Sequence, residues 1–200
     1  MTAIKIETAR LDNLQSECLV LGYFSDERPP RGYCGLLDWR LNGMISRLMV
    51  SGKITGEYQE KVLIAPPKRI PSTKIMLLGL GEITGITYDI LYTMGYVLSG
   101  AAAGLGWEKY AFEIPAAGRC PLQVPIMTEA VITGLYDFYA TRGESWKYLS
   151  PILLSRESDL KEILLGLERF RKNVGDDLIV DIPETVKEGL DAPLTLFPRG

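Results

Sequence analysis

The segment Cys18-Leu19-Val20-Leu21-Gly22-Tyr23-Phe24 is an almost unbroken apolar run of strand length. A strand with no polar side has to be covered on both faces. That happens where helices flank a largely parallel sheet. Further apolar runs at 61–65, 74–79 and 109–114 repeat the signal, and a shorter alternating run occupies 3–8. A last strand is expected at 148–154, where Pro151 favours an edge position or a strand start. Between these runs the apolar period changes to that of a helix. Leu37, Leu41, Met44, Ile45, Leu48 and Met49 share one face, which predicts a single helix over 36–50 that ends at Ser51-Gly52. Further helices are predicted at 87–105, 124–141 and 158–172. In the first of these, Gly95, Gly100 and the Ala101-Ala102-Ala103-Gly104 run are small enough to let another element approach closely.

Alternating strands and helices predict an α/β fold with a mixed sheet between helix layers. The first two strands have no helix between them, which suggests an antiparallel edge. Residues 1–175 read as one domain, and 176–200 as a C-terminal tail that opens with a short extended segment at 176–183.

Composition narrows the function classes. The chain has no histidine, the usual base near neutral pH and the commonest metal ligand. Ser-His-Asp and Cys-His catalysis are therefore excluded within it, and neither a catalytic set nor a metal site is expected. No cofactor is implied. The three cysteines, Cys18, Cys34 and Cys120, are odd in number and widely spaced, and form neither a metal pattern nor a disulfide framework. A net charge of −3 gives no case for nucleic-acid binding. No apolar run is long enough to span a membrane, and the N-terminal Met1-Thr2-Ala3-Ile4-Lys5-Ile6-Glu7 lacks the apolar core of a signal peptide. A reducing cytoplasm is the expected location.

Three motifs occur in order: Gly35-Leu36-Leu37-Asp38-Trp39-Arg40-Leu41-Asn42-Gly43, then Gly56-Glu57, then Lys74-Ile75-Met76-Leu77-Leu78-Gly79-Leu80-Gly81. This order resembles the N-terminal, non-catalytic domain of the leucyl aminopeptidase family (peptidase M17). The resemblance covers about 1–170 and is densest at 36–81. It implies a three-layer α/β/α macrodomain-like fold. In that family the metal ligands and the catalytic lysine and arginine belong to a following domain, whose Asn-Thr-Asp-Ala-Glu-Gly-Arg signature occurs nowhere here. The expectation is an accessory domain without catalytic residues, serving assembly or the binding of a small ligand or protein partner. Two enzymatic alternatives stand beside it. One is a metal-dependent aminopeptidase by family transfer, and the other is hydrolysis of an ADP-ribose derivative by analogy with macrodomains.

Two glycine loops are candidate ligand sites. Gly79-Leu80-Gly81-Glu82-Ile83-Thr84-Gly85 runs from a strand to a helix, where backbone amides favour anions. Its spacing is not the dinucleotide fingerprint, Glu82 would repel a phosphate, and a tight strand-to-helix turn is the simpler explanation. Gly118-Arg119 lies in a second such loop, and Arg119 offers a bidentate cation. If the two strands are parallel neighbours, Gly79, Gly81, Gly85, Gly118 and Arg119 would converge on one small anionic ligand. Cys34 and Asp38, near the predicted helix start, suit packing and dipole compensation better than chemistry. Trp39, Trp107, Tyr136, Tyr139 and Trp146 are the candidates for an apolar surface that a homo-oligomer or a protein partner would cover.

Overall fold

The computed structural model describes residues 2–8, 10–66, 68–143, 149–174 and 178–181. The strands are β1 (Thr2–Glu7), β2 (Cys18–Tyr23), β3 (Lys61–Ile64), β4 (Lys74–Gly79), β5 (Tyr110–Glu113), β6 (Ile152–Leu154) and β7 (Leu178–Asp181). The helices are α1 (Gly32–Arg40), α2 (Met44–Val50), α3 (Tyr88–Leu105), α4 (Val124–Ala140) and α5 (Leu160–Val174). The described strands form one sheet in the order β3-β4-β2-β5-β6-β1-β7. Every pairing is parallel except β3 with β4.

The alternation of β2 divides the core. Leu19, Leu21 and Tyr23 pack with Cys34, Leu37, Ile45 and Met49 of α1 and α2. Cys18 and Val20 pack on the other side with Leu91, Met94 and Leu98 of α3 and with Met127, Val131 and Leu135 of α4. Both faces are covered, so the run carries no polar side, and the three-layer α/β/α arrangement expected from it is present. The strands expected at 18–24, 61–65, 74–79 and 109–114 all belong to this sheet.

The antiparallel edge is β3, not the first strand pair. β1 and β2 are separated in the sheet by β5 and β6, because a 3₁₀ turn at Leu11–Asn13 carries the chain across to a central position. β6 is interior, and Pro151 stands just before its first residue, where its carbonyl accepts from Lys5 N at 3.0 Å. The extended segment expected after residue 175 includes β7, which pairs with β1. The remainder of that tail lies outside the described residues.

The helix predicted at 36–50 is two helices. It begins earlier, at Gly32, and breaks at Asn42 (φ 55°) and Gly43 (φ 73°). Asp38 explains the break. Buried inside α1, its carboxylate accepts from Ser46 N at 3.1 Å and from the Ser46 hydroxyl, and so caps α2 across the turn. The small residues of α3 do admit a neighbour, and it is α4. A Cβ on Gly95 would lie 2.1 Å from Val131 O, and one on Gly134 would lie 2.0 Å from Tyr92 O. Of the aromatic residues expected at the surface, Trp39 is exposed and Tyr136 half-buried, while Trp107 and Tyr139 are buried in the α3–α4 side of the core. Trp146 lies outside the described residues.

Candidate functional site at the C-terminal ends of β5 and β6

Parallel strands bring their C-terminal ends to one edge of the sheet, where open α/β folds form crevices. Here a crevice of about 150 Å³ lies beyond β5 and β6. Glu113 at the end of β5 and Ile114 just beyond it, with Leu154 at the end of β6 and Ser155 just beyond it, form its floor, and Gly32, Tyr33 and Leu36 of α1 form one wall. Ala116, Ala117 and Arg119 come from the β5–α4 loop, and Arg156 and Asp159 from the turn before α5. Register places Glu113 opposite Leu154.

Two cations stand at the rim, each held from another loop. Arg119 Nη1 pairs with Glu27 on the β2–α1 loop, and its guanidinium lies 5.8 Å from the Phe24 ring centroid. Arg156 pairs with Asp159 and donates to Ala117 O at 2.8 Å. Among the described residues this leaves Arg119 Nη2 and Arg156 Nη1 without a hydrogen-bond acceptor. Gly32 matters in two ways. Its φ of +62° suits a residue without a side chain, and a Cβ there would lie 3.2 Å from Arg119 Nη2. The chain thereby starts α1 against the guanidinium, so the N-terminal amides of α1 and Arg119 share one region.

Glu113 is the exceptional group. It is 6% exposed. Burial raises its pKa to about 8, while Arg119, the Tyr33 backbone N–H and Arg156 act against the rise. The carboxyl is therefore mostly protonated at neutral pH, and carries both a donor and an acceptor. Beside it, burial and the Glu113 carboxyl push the Tyr33 phenol up to about 12. Cys34 is inside α1 rather than ahead of it. Burial, followed by Glu113 and Asp38, raises its thiol pKa, which leaves it an unreactive packing residue.

Of the residues singled out in the sequence, Arg119 lines this crevice, and a Cβ on Gly118 (φ +70°) would lie 3.9 Å from Arg156 Nη2. Gly79, Gly81 and Gly85 are elsewhere. β4 and β5 are both parallel to β2 but lie on opposite sides of it, so their loops are not neighbours. Gly79 and Gly81 instead receive the 55–60 segment. A Cβ on Gly79 would lie 2.1 Å from Glu57 O, and Gly81 N donates to Gly56 O at 2.9 Å. Glu60 fastens that segment through one oxygen, which accepts from Tyr23 OH (2.6 Å), Thr55 N (2.8 Å) and Gly56 N (2.7 Å). Gly85 is exposed, and a Cβ added there would meet nothing within 4 Å. Glu113, Tyr33 and Arg156 were not singled out in the sequence. Glu113 had one available signal, a carboxylate at the end of a strand otherwise buried throughout.

Among the described residues no group of three or more His, Cys, Asp or Glu side chains is placed to hold a metal ion, and no helix is long and apolar enough to cross a membrane.

The fold and its sequence have clear relatives. A probable cytosol aminopeptidase of Geobacter sulfurreducens is 29% identical over 136 residues, which is 68% of this chain and 27% of that protein. One from Synechocystis is 26% identical over 124 residues, or 62% of this chain and 25% of that protein. The chain thus spans about a quarter of the curated relatives it matches. Among solved structures, a tomato leucine aminopeptidase superposes with a TM-score of 0.61 at 16% identity, covering 87% of this chain and 37% of that one. A Trypanosoma brucei macrodomain in complex with ADP-ribose gives 0.62 at 15% identity, covering 85% and 68%. These likenesses establish a macrodomain-like fold. The cytosol aminopeptidase family's N-terminal domain matches residues 20–145, and the chain belongs to that family.

Proposed function

We propose that this domain is non-catalytic and binds a small anionic ligand in the crevice beyond β5 and β6. The observation that carries the reading is the meeting of Arg119, Arg156 and the first turn of α1 around one recess. An anion there gains charge-assisted hydrogen bonds from guanidinium groups and from helix N-terminal amides. The recess, at about 150 Å³, is smaller than the roughly 300–1,000 Å³ typical of drug-sized sites. A hollow that shares Gly32 and Leu36 with it extends along α1 toward Trp39, and gives room for a longer ligand. The macrodomain likeness supports ADP-ribose and AMP as first candidates, beside inorganic phosphate. Calorimetric titration with these three ligands, on the native chain and on Arg119→Ala, tests the reading.

The aminopeptidase reading rests on the names of relatives that this chain matches only in their N-terminal part. Neither the absent histidine nor the described acidic residues support a metal-dependent hydrolase. A second role, self-association, is favoured by Trp39 at 70% and Leu36 at 55% exposure on the same face of α1. Sedimentation at micromolar concentration is its test, and a Trp39→Ala variant should shift any dimer toward monomer.

A further inference from the structure

An anion held only by the rim guanidiniums leaves Glu113, which lines the same crevice, without a role. The two rim guanidiniums already face carboxylates, Arg119 with Glu27 and Arg156 with Asp159. Glu113 is the remaining acid of the crevice. Among the described residues no guanidinium lies within ion-pair distance of it, and the Tyr33 backbone N–H faces it. A carboxyl so placed can offer an oxygen to a cationic donor. Beside it the walls are apolar, made by Ile114, Leu154 and Ile163.

We infer that the crevice binds a small zwitterion with an apolar side chain, of the α-amino acid class. Glu113 takes the ammonium group, Arg119 the carboxylate, and Ile114, Leu154 and Ile163 the side chain. The inference rests on the anion-binding reading above, and specifies the ligand whose anionic half that reading places at Arg119. The size agrees, because about 150 Å³ suits a molecule of few heavy atoms.

Binding of an ammonium should ionise Glu113, and the proton should pass to solvent. The groups that face this carboxyl are Arg119 and Glu27 from the two loops, Tyr33 and Cys34 from α1, and Arg156 before α5. Glu113, whose pKa burial raises to about 8, is expected to change protonation near pH 7. About one proton should therefore be released per ligand bound, a signature that a structural role of Glu113 would not produce.

The test is calorimetry on the full chain at pH 7 in two buffers of different ionisation enthalpy. The probes are L-valine, 3-methylbutanoate (the same skeleton without the amine) and 2-methylpropylamine (without the carboxylate). The expected result is that L-valine binds at least about ten-fold more tightly than either analogue, with buffer-dependent heat equal to about one proton released. Glu113→Gln, whose neutral amide resembles the protonated acid, should lose that preference and the proton release. Equal affinity for L-valine and 3-methylbutanoate overturns the inference. Heat that does not depend on the buffer, or no L-valine binding, does so as well. Phosphate binding that weakens in Arg119→Ala would then leave the anion-binding reading standing. If L-valine and all the anions are silent, both readings fall.

Discussion

Arg119 on the β5–α4 loop is ion-paired with Glu27 on the β2–α1 loop, 92 residues earlier in the chain. The pair closes one side of the crevice, and fixes a guanidinium against the first turn of α1. Arg156, through Ala117 O, ties the β6–α5 turn to the same β5–α4 loop. Three loops from three parallel strands are thus joined by two arginines. Side chains held by their own partners present their remaining donors without much further loss of freedom, which favours ligand binding.

The raised pKa of Glu113 has a direct consequence for stability. In the unfolded chain the carboxyl ionises near its ordinary value, whereas in the folded protein it holds its proton up to about pH 8. Between those values the folded state binds more protons, so stability falls as pH rises, by at most about 1.4 kcal/mol per pH unit from this one group. Urea denaturation from pH 5 to pH 9 should show the decline, and Glu113→Gln should flatten it. A Gln variant with the same slope as the native chain would show that Glu113 is already ionised when folded.

Asp38 should act as a cap rather than as a charge. Replacement by Ala leaves Ser46 N and its hydroxyl without their buried acceptor, and should cost about 1–3 kcal/mol. Asp38→Asn keeps one acceptor and should lose less. Equal losses in denaturant titration would contradict the capping role.

Two glycines of α3, nine residues apart, should respond in opposite directions. Gly95→Ala drives a methyl into Val131 O and should destabilise by about 1–3 kcal/mol or more, because α3 and α4 must move apart. Gly104→Ala meets nothing within 4 Å in the last turn of the same helix. It should stabilise by about 0.5–1 kcal/mol through the lower entropy of the unfolded chain. Melting temperatures of the two variants decide the matter.

Most of the fold could be read from the sequence because each side of the sheet is covered in a regular way. Continuous apolar strands and amphipathic helices leave few arrangements other than three layers. The misreadings have local causes. The break between α1 and α2 was hidden because Leu41 and Met44 continue the apolar spacing through it. Only the φ values of Asn42 and Gly43 and the Asp38 cap reveal the turn. The position of β1 could not be inferred from the absence of a helix, since a 3₁₀ turn sufficed for the crossing. Arg119 was visible as a cation in a glycine loop. Its companions Glu113, Tyr33 and Arg156 are brought together by sheet order, which no local pattern encodes.

The family's catalytic chemistry should be absent from this chain. Purified protein should not hydrolyse leucine-p-nitroanilide with added manganese, zinc or cobalt, since the Asn-Thr-Asp-Ala-Glu-Gly-Arg signature occurs nowhere in it. Metal-dependent turnover that follows the protein through purification would contradict this.

Titration of the folded chain with phosphate, AMP and ADP-ribose, repeated on Arg119→Ala, tests the central claim most directly. The expected result is saturable binding of at least one of them. In the variant it should weaken by about 1.5–3 kcal/mol, roughly ten- to 150-fold. No heat with any anion, or equal affinity in the Arg119→Ala variant, would contradict a ligand site beyond β5 and β6.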